Sequence, residues 1–236
     1  MTAVVLQARI DSSRLPRKSL LPLGGKPLVV RVMEALRHVP CDLWVLACPE
    51  DALATFEPLA AGAGFAAIGG SHHDVLERYC LALRAFGIDR VIRATGDNPF
   101  VFADAAAAIA AEAEEVGADY AGYSGIPHGV GVEAVDSKAL FRAEAEARAP
   151  HQREHVCPYL YENPDRFALH RPLAPQKWQG RGIRLTVDTE EDYENAKTLY
   201  AVLDKREASG EVSGKGRYTG EAIMRAYRET WGTEKG

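Results

Sequence analysis

Cysteine is scarce in this chain and is placed without pattern. Its four residues, Cys41, Cys48, Cys80 and Cys157, form no C-x-x-C pair. That spacing argues against a zinc ribbon or a disulfide frame, and for small buried thiols in a reducing compartment. Long hydrophobic runs are missing as well. The longest mostly apolar stretch, 103–113, is alanine-rich and interrupted by Asp104 and Glu112, which is too polar for a membrane span. The opening MTAVVLQAR is too short an apolar run for a secretory signal, so the expectation is a cytoplasmic protein with no membrane partner. Nor is there an excess of positive charge: 28 Lys and Arg against 33 Asp and Glu leave a net charge of −5. A general nucleic-acid binder needs a broad cationic face to displace counterions, and that class is set aside. No internal repeat or extended low-complexity segment appears.

What is present is an alternation of strand-length apolar runs and helix-length amphipathic segments. Strands are expected at 3–8, 42–48, 65–69 and 89–95, with helices at 27–39, 50–61, 73–87 and 103–116. The later half is less regular. It offers short strands in DYAGY and VGVEAVD, a helix over 136–148, strands at 167–171 and 181–188, and a helix through EEDYENAKTLYAVLDKRE. A Gly/Ser-rich loop at 209–217 precedes a closing helix. This order predicts an α/β fold, a mostly parallel sheet with helices on both faces, in one domain of 236 residues. Ligands of such sheets collect at the carboxyl ends of the strands.

The segment after the first strand, LQARIDSSRLPRKSLLPLGGKP, concentrates five positive charges between Arg9 and Lys26 in an otherwise acidic chain. A strand that runs into a glycine-containing basic loop and then a helix presents N–H groups and guanidinium forks to one pocket. Arg9, Arg14 and Lys18 are the strongest candidates, with Lys26 at the Gly24–Gly25 bend. A triphosphate suits a site with several cations. The plain alternative is a run of solvated surface charges.

RATGDNPF, at the end of the fourth strand, sets Asp97 between Gly96 and Pro99. The aspartate either closes a turn or holds a divalent metal. Asp188 ends another apolar segment, GIRLTV, and opens the acidic cluster DTEED. Part of that cluster is expected to cap the next helix, through Thr189 or Asp188, with Glu191 and Asp192 in the first turn. Two aspartates at strand ends, far apart in sequence, could meet on one ion.

QARIDSSRLPRKSLLPLGGKPL resembles the opening signature of the cytidylyltransferases that activate sugar acids, such as CMP-Kdo and CMP-sialate synthetases. GGSHHDVLERY, RVIRATGDNPF, HGVGVEA, REHVCPYLYENPDRF and RLTVDTEEDYE are similar, in order, to later blocks of the branch called SpsF-like. The resemblance implies a nucleotide-diphosphosugar-transferase-like three-layer α/β/α sandwich with a mostly parallel mixed sheet. It implies that Arg9, Ser12, Arg14 and Lys18 embrace the triphosphate of CTP, with Gln7 and Ala8 near the base and Thr95 and Gly96 on the nucleotide. Asp74 and Arg78 would lie near the ribose or the acceptor, and Asp97 and Asp188 would hold Mg²⁺. Asn98 departs from the CMP-Kdo pattern, which has an acidic residue there. By the same analogy, an insertion around 120–180 would serve acceptor binding and homodimer formation, and 209–236 would be a helical appendage.

The expected reaction is attack of an anionic acceptor on the α-phosphorus of CTP, with pyrophosphate leaving. Arg9, Lys18, Asp97 and Asp188 would be its catalytic residues. His128, Glu133, Arg153 and His155 are candidates for the acceptor, although Arg153 could instead pair with a carboxylate. His72 and His73 read as an exposed pair at a helix start. Tyr159, Tyr161 and Phe167 read as packing aromatics. A glycosyltransferase of the same fold is the competing reading, but the single Asp of GDNP is not the Asp-x-Asp that class would be expected to carry. A non-catalytic nucleotide-binding or scaffold protein is the third.

Overall fold

The computed structural model describes residues 1–232; residues 233–236, the end of the expected C-terminal appendage, lie outside the described part. The first strand, β1 (Thr2–Gln7), lies inside a sheet with β4 (Leu43–Pro49) and β6 (Arg90–Thr95) as parallel neighbours. β2 (Pro22–Leu23) and β3 (Lys26–Pro27) form a separate small hairpin, turned by Gly24 and Gly25 at φ 55° and 82°. Beyond β4 lies β5 (Ala66–Gly70), also parallel. Beyond β6 come β8 (Glu133–Asp136), β7 (Tyr120–Ala121) and β9 (Leu169–His170). Among the described residues, β8 is the one strand of this seven-stranded sheet that runs against its neighbours. The mostly parallel mixed sheet is as expected.

Strand alternation makes the layers. Val4 and Leu6 of β1 point to one core, and Ala3 and Val5 to the other. The first core is covered by α1 (Leu28–Leu36), α2 (Leu53–Gly62), α4 (Ala103–Glu115), α8 (Glu190–Ala208) and α9 (Gly220–Trp231). The second is covered by α3 (Val75–Phe86), α5 (Ser137–Glu146) and the short α7 (Pro158–Tyr161). β1 leads to β4 on one side while β6 lies on the other, so the gap between the carboxyl ends of β1 and β6 is a topological switch point, where such sheets hold ligands. Under it the buried Tyr79 hydroxyl lies 3.1 Å from the Val5 carbonyl and 3.0 Å from that of Ala94, which ties the two strands together.

Three local features go against or beyond the sequence expectation. RGIRLTVD is not a ladder strand. Its amides bond to loops instead: Leu185 N–H donates to the His128 carbonyl at 2.8 Å and Val187 N–H to the Asp97 carbonyl at 2.9 Å. HQREHVCPYLYENP forms α6 (Pro150–His155) and α7, with Val156 between them at φ 73°. Asp104 appears in the sequence as an interruption of an apolar run, yet it joins three elements. It accepts from Gly220 N–H at 2.8 Å and from the Trp178 indole at 2.9 Å, and so fastens α9 to α4. The cysteines follow expectation, with Cys48, Cys80 and Cys157 buried and Cys41 partly so. Tyr159 and Phe167 pack in the second core, with Tyr161 partly buried against it.

Asp104→Ala would leave the Gly220 and Ala105 amides and the Trp178 indole short of an acceptor, which costs about 1–3 kcal/mol where such groups are buried. We expect a lower urea midpoint with an unchanged slope. An unchanged midpoint would contradict the role given to Asp104.

Candidate active site

A cavity of about 1220 Å³ opens at the switch point. It is larger than the ~300–1,000 Å³ usual for a single small ligand, and so has room for two substrates side by side. One end is made by Gln7, Ala8, Arg9, Ser12, Arg14 and Lys18 from β1 and the basic loop, with Thr95, Gly96 and Asp97 from the end of β6. Gly96 has to be small: a Cβ there would come 2.9 Å from the Ala8 Cβ and 3.1 Å from the Gln7 carbonyl. The basic loop is anchored rather than loose. Leu15 and Ser19 are buried, Ser19 Oγ donates to the Arg9 carbonyl at 3.0 Å, and a short 3-10 turn carries Lys18 inward.

The Lys18 ammonium is the centre of this end. It donates to Asp97 Oδ2 at 2.8 Å, Asp188 Oδ1 at 2.7 Å and the Val187 carbonyl at 3.0 Å. Two carboxylates 91 positions apart in sequence thus converge on one cation position. Arg14 reaches Asp188 Oδ1 at 3.1 Å, and Arg184 donates to Asp188 Oδ2 at 2.5 Å. Burial pushes the Asp188 carboxyl up, but Lys18, Arg14 and Arg184 outweigh it and hold the group below its ordinary value. The capping expectation holds too: Thr189 caps α8, and Asp192 returns bonds to the amides of Asp188 and Thr189 at 3.0 and 2.9 Å.

Does this donor set suit Mg²⁺? The described residues contain no group of three or more His, Cys, Asp or Glu side chains placed to cage a metal. Mg²⁺ seldom uses such a cage; one or two carboxylates with water and phosphate oxygens are typical. The pair already embraces a cation in Lys18, so the residues fit the ion, provided phosphate completes its shell.

The cavity is also lined by Arg93, Tyr120, Tyr123, His128, Glu133, His155 and Arg181, with Glu154 beside Arg9. Its floor is an ion pair between Arg93 and Glu133, opposed in the β6–β8 register, and Tyr120 donates to Glu133 Oε1 at 2.8 Å. Burial and the adjacent Glu133 charge push the Tyr120 phenol well up, so it stays a donor.

Not every expected residue reaches the cavity. Asp74 caps α3 by accepting from Glu77 N–H at 3.0 Å, and it pairs with Arg153, whose Nε lies 2.8 Å away. Arg153 also donates to the Glu144 carbonyl at 2.7 Å. Arg153 therefore pairs with a carboxylate, the alternative left open above. Arg78 is wholly buried and donates to the Ser71 carbonyl at 3.2 Å. Neither Asp74, Arg78 nor Arg153 lines the cavity. Lys26 pairs with Glu34 at 2.5 Å, away from it. His72 and His73 are exposed ahead of α3, as expected, and His72 meets Asp11 at 3.1 Å.

Sequence reading missed Arg93, Tyr120 and Arg184. For Arg93 a signal existed: a charge inside the buried strand RVIRAT, with an opposite charge in VEAVD to meet it. Arg184 gave none apart from its nearness to Asp188.

Residues 3–217 match a family model described as Cytidylyltransferase. The spore coat polysaccharide biosynthesis protein SpsF of Bacillus subtilis is 30% identical over 209 residues, 86% of this chain and 87% of that protein. A solved cytidylyltransferase from Leptospira borgpetersenii superposes with a TM-score of 0.83 at 24% identity, over 97% of this chain and 94% of that one. A CMP:2-keto-3-deoxy-manno-octonic acid synthetase, solved with CTP, superposes at 0.68 and 19% identity, over 85% and 98%. These structures share the fold of this chain.

The site depends on one close backbone approach. Gly129 has φ 94°, and a Cβ there would lie 2.6 Å from the Thr186 amide nitrogen. Gly129→Ala should push the 128–131 loop off the segment that carries Asp188, lowering both the thermal midpoint and CTP affinity. Gly216→Ala, with nothing within 4 Å of the added methyl, is the control. Equal behaviour of the two variants in calorimetric titration with CTP would contradict this assignment.

Proposed function

The chain belongs to the cytidylyltransferase family, and from that premise we propose that it transfers CMP from CTP to a small anionic acceptor and releases pyrophosphate. The observation that carries the reading is the meeting of Asp97 and Asp188 at one cation position beside Arg14 and Lys18. A finished nucleotide sugar carries a diphosphate; three basic residues from one loop suit the longer, more charged chain of a triphosphate.

Asp97 Oδ2 and Asp188 Oδ1 would hold Mg²⁺. When bound, the ion supplies charge neutralisation at the α-phosphate and a lowered pKa for the acceptor oxygen. Arg14 and Lys18 spend their charge on carboxylates in the ligand-free protein. Phosphate oxygens compete for them, and their transfer to phosphate leaves Asp97 Oδ2 and Asp188 Oδ1 free. Arg9 is half exposed and only 4.0 Å from Glu154, a weak engagement that leaves it available to clamp the phosphates. The acceptor oxyanion forms a bond to the α-phosphorus as the bond to the bridging oxygen breaks, and the leaving pyrophosphate takes that electron pair. Arg14 and Lys18 then face the charge that grows on pyrophosphate. An acceptor that is already ionised needs no general base.

The acceptor would sit over the Arg93–Glu133 floor, near His128 and His155. Sugar acids, phosphates and phosphonates all meet the requirement of an anionic nucleophile. Homodimer formation through the 120–180 region is part of this reading and rests on the resemblance to the synthetases alone. No helix among the described residues is long and apolar enough to cross a membrane.

Pyrophosphate release from CTP and Mg²⁺ with a panel of these acceptors tests the proposal. Asp97→Asn and Asp188→Asn should each lower kcat by about 10²-fold or more, the usual scale for removing a group that supports transition-state charge. Turnover of a finished nucleotide sugar, with no pyrophosphate from CTP and any acceptor, would refute it.

A further inference from the structure

We propose that Arg184 is a positioning residue: it fixes Asp188 so that only Oδ1 is offered to the metal and phosphate side of the cavity. This rests on the reading of Asp188 as a metal-holding residue in nucleotidyl transfer.

The two oxygens of Asp188 have separate surroundings. Oδ1 faces Lys18 at 2.7 Å and Arg14 at 3.1 Å, both from the basic loop. Oδ2 faces Arg184 at 2.5 Å. Lys18 and Arg14 have phosphate to turn to when nucleotide arrives. Arg184 does not come from that loop and is held from behind, its Nε donating to Asp192 Oδ1 at 3.1 Å. Asp192 is in turn fixed by the amides of Asp188 and Thr189 at the start of α8. A helix cap thus holds one carboxylate, which holds a guanidinium, which holds the reactive carboxylate. Arg184 is 42% exposed, so its value to overall stability is small; its effect is on direction. Partners behind a metal ligand commonly change metal affinity or activity by about 10–100-fold when removed.

The backbone of Arg184 adds a second link. Its neighbours bond both ways with His128: His128 N–H donates to the Ile183 carbonyl and Leu185 N–H to the His128 carbonyl, each at 2.8 Å. The residue that orients Asp188 therefore also sits in register with the acceptor-side loop.

The test uses Mn²⁺ as a spectroscopic probe with CTP, and follows binding by electron paramagnetic resonance beside steady-state kinetics. Arg184→Gln should weaken Mn²⁺ binding to the CTP-bound protein about 10–100-fold, lower kcat by a similar factor, and leave KM for CTP within a few-fold. Arg184→Lys keeps the charge without the fork that spans two carboxylates and should rescue only in part. The melting temperature of both variants should stay near that of the parent protein. Wild-type Mn²⁺ affinity in Arg184→Gln, in a protein whose parent turns over CTP, would overturn this inference alone. A parent protein that releases no pyrophosphate would instead overturn the function beneath it.

Discussion

Asp97 and Asp188 belong to different arms of the chain, and one positive charge draws them together. Two carboxylates side by side repel; with an ammonium between them they are stable, and Asp188 stays ionised despite being largely buried. The backbone prepares the meeting. The segment before Asp188 is stitched to the end of β6 by the Val187–Asp97 bond and to the 128–131 loop by the bonds around His128. The aspartates are thus delivered by main-chain geometry, and their side chains need little further ordering.

The charges gathered around Asp97 and Asp188 balance among themselves. Arg14, Lys18 and Arg184 offer three positive charges, and Asp97, Asp188 and Asp192 three negative ones. A ligand that brings its own anions and its own cation can substitute on both sides at once. A metal ion alone must displace Lys18, and a nucleotide alone must pull cations from the aspartates. Joint arrival satisfies both sets, which is why a metal–nucleotide complex suits this arrangement.

Much of this was legible beforehand. Strand–helix alternation gave the order β1, β4, β5 and β6, because period-2 and period-3.6 patterns are local. The basic loop and GDNP stood out as charge and turn anomalies at strand ends, and the sheet's topology placed them side by side. What local pattern could not carry was partnership. Asp74 and Arg153 are 79 positions apart and neutralise each other outside the cavity. RGIRLTVD has the alternation of a strand, but its hydrogen-bond partners are loops, which no periodicity announces. Arg93 and Glu133 were each visible as a charge, yet their pairing needed the antiparallel β6–β8 register. Asp104 likewise looked like a blemish in an alanine run until α9 was seen to rest on it.

The most direct measurement is a crystal structure with CTP and Mn²⁺ in which anomalous scattering locates the metal. A single peak in direct contact with Asp97 and Asp188, with the Lys18 ammonium moved onto phosphate, is the predicted result. A peak that touches neither carboxylate, with Lys18 still bridging them, would contradict the account.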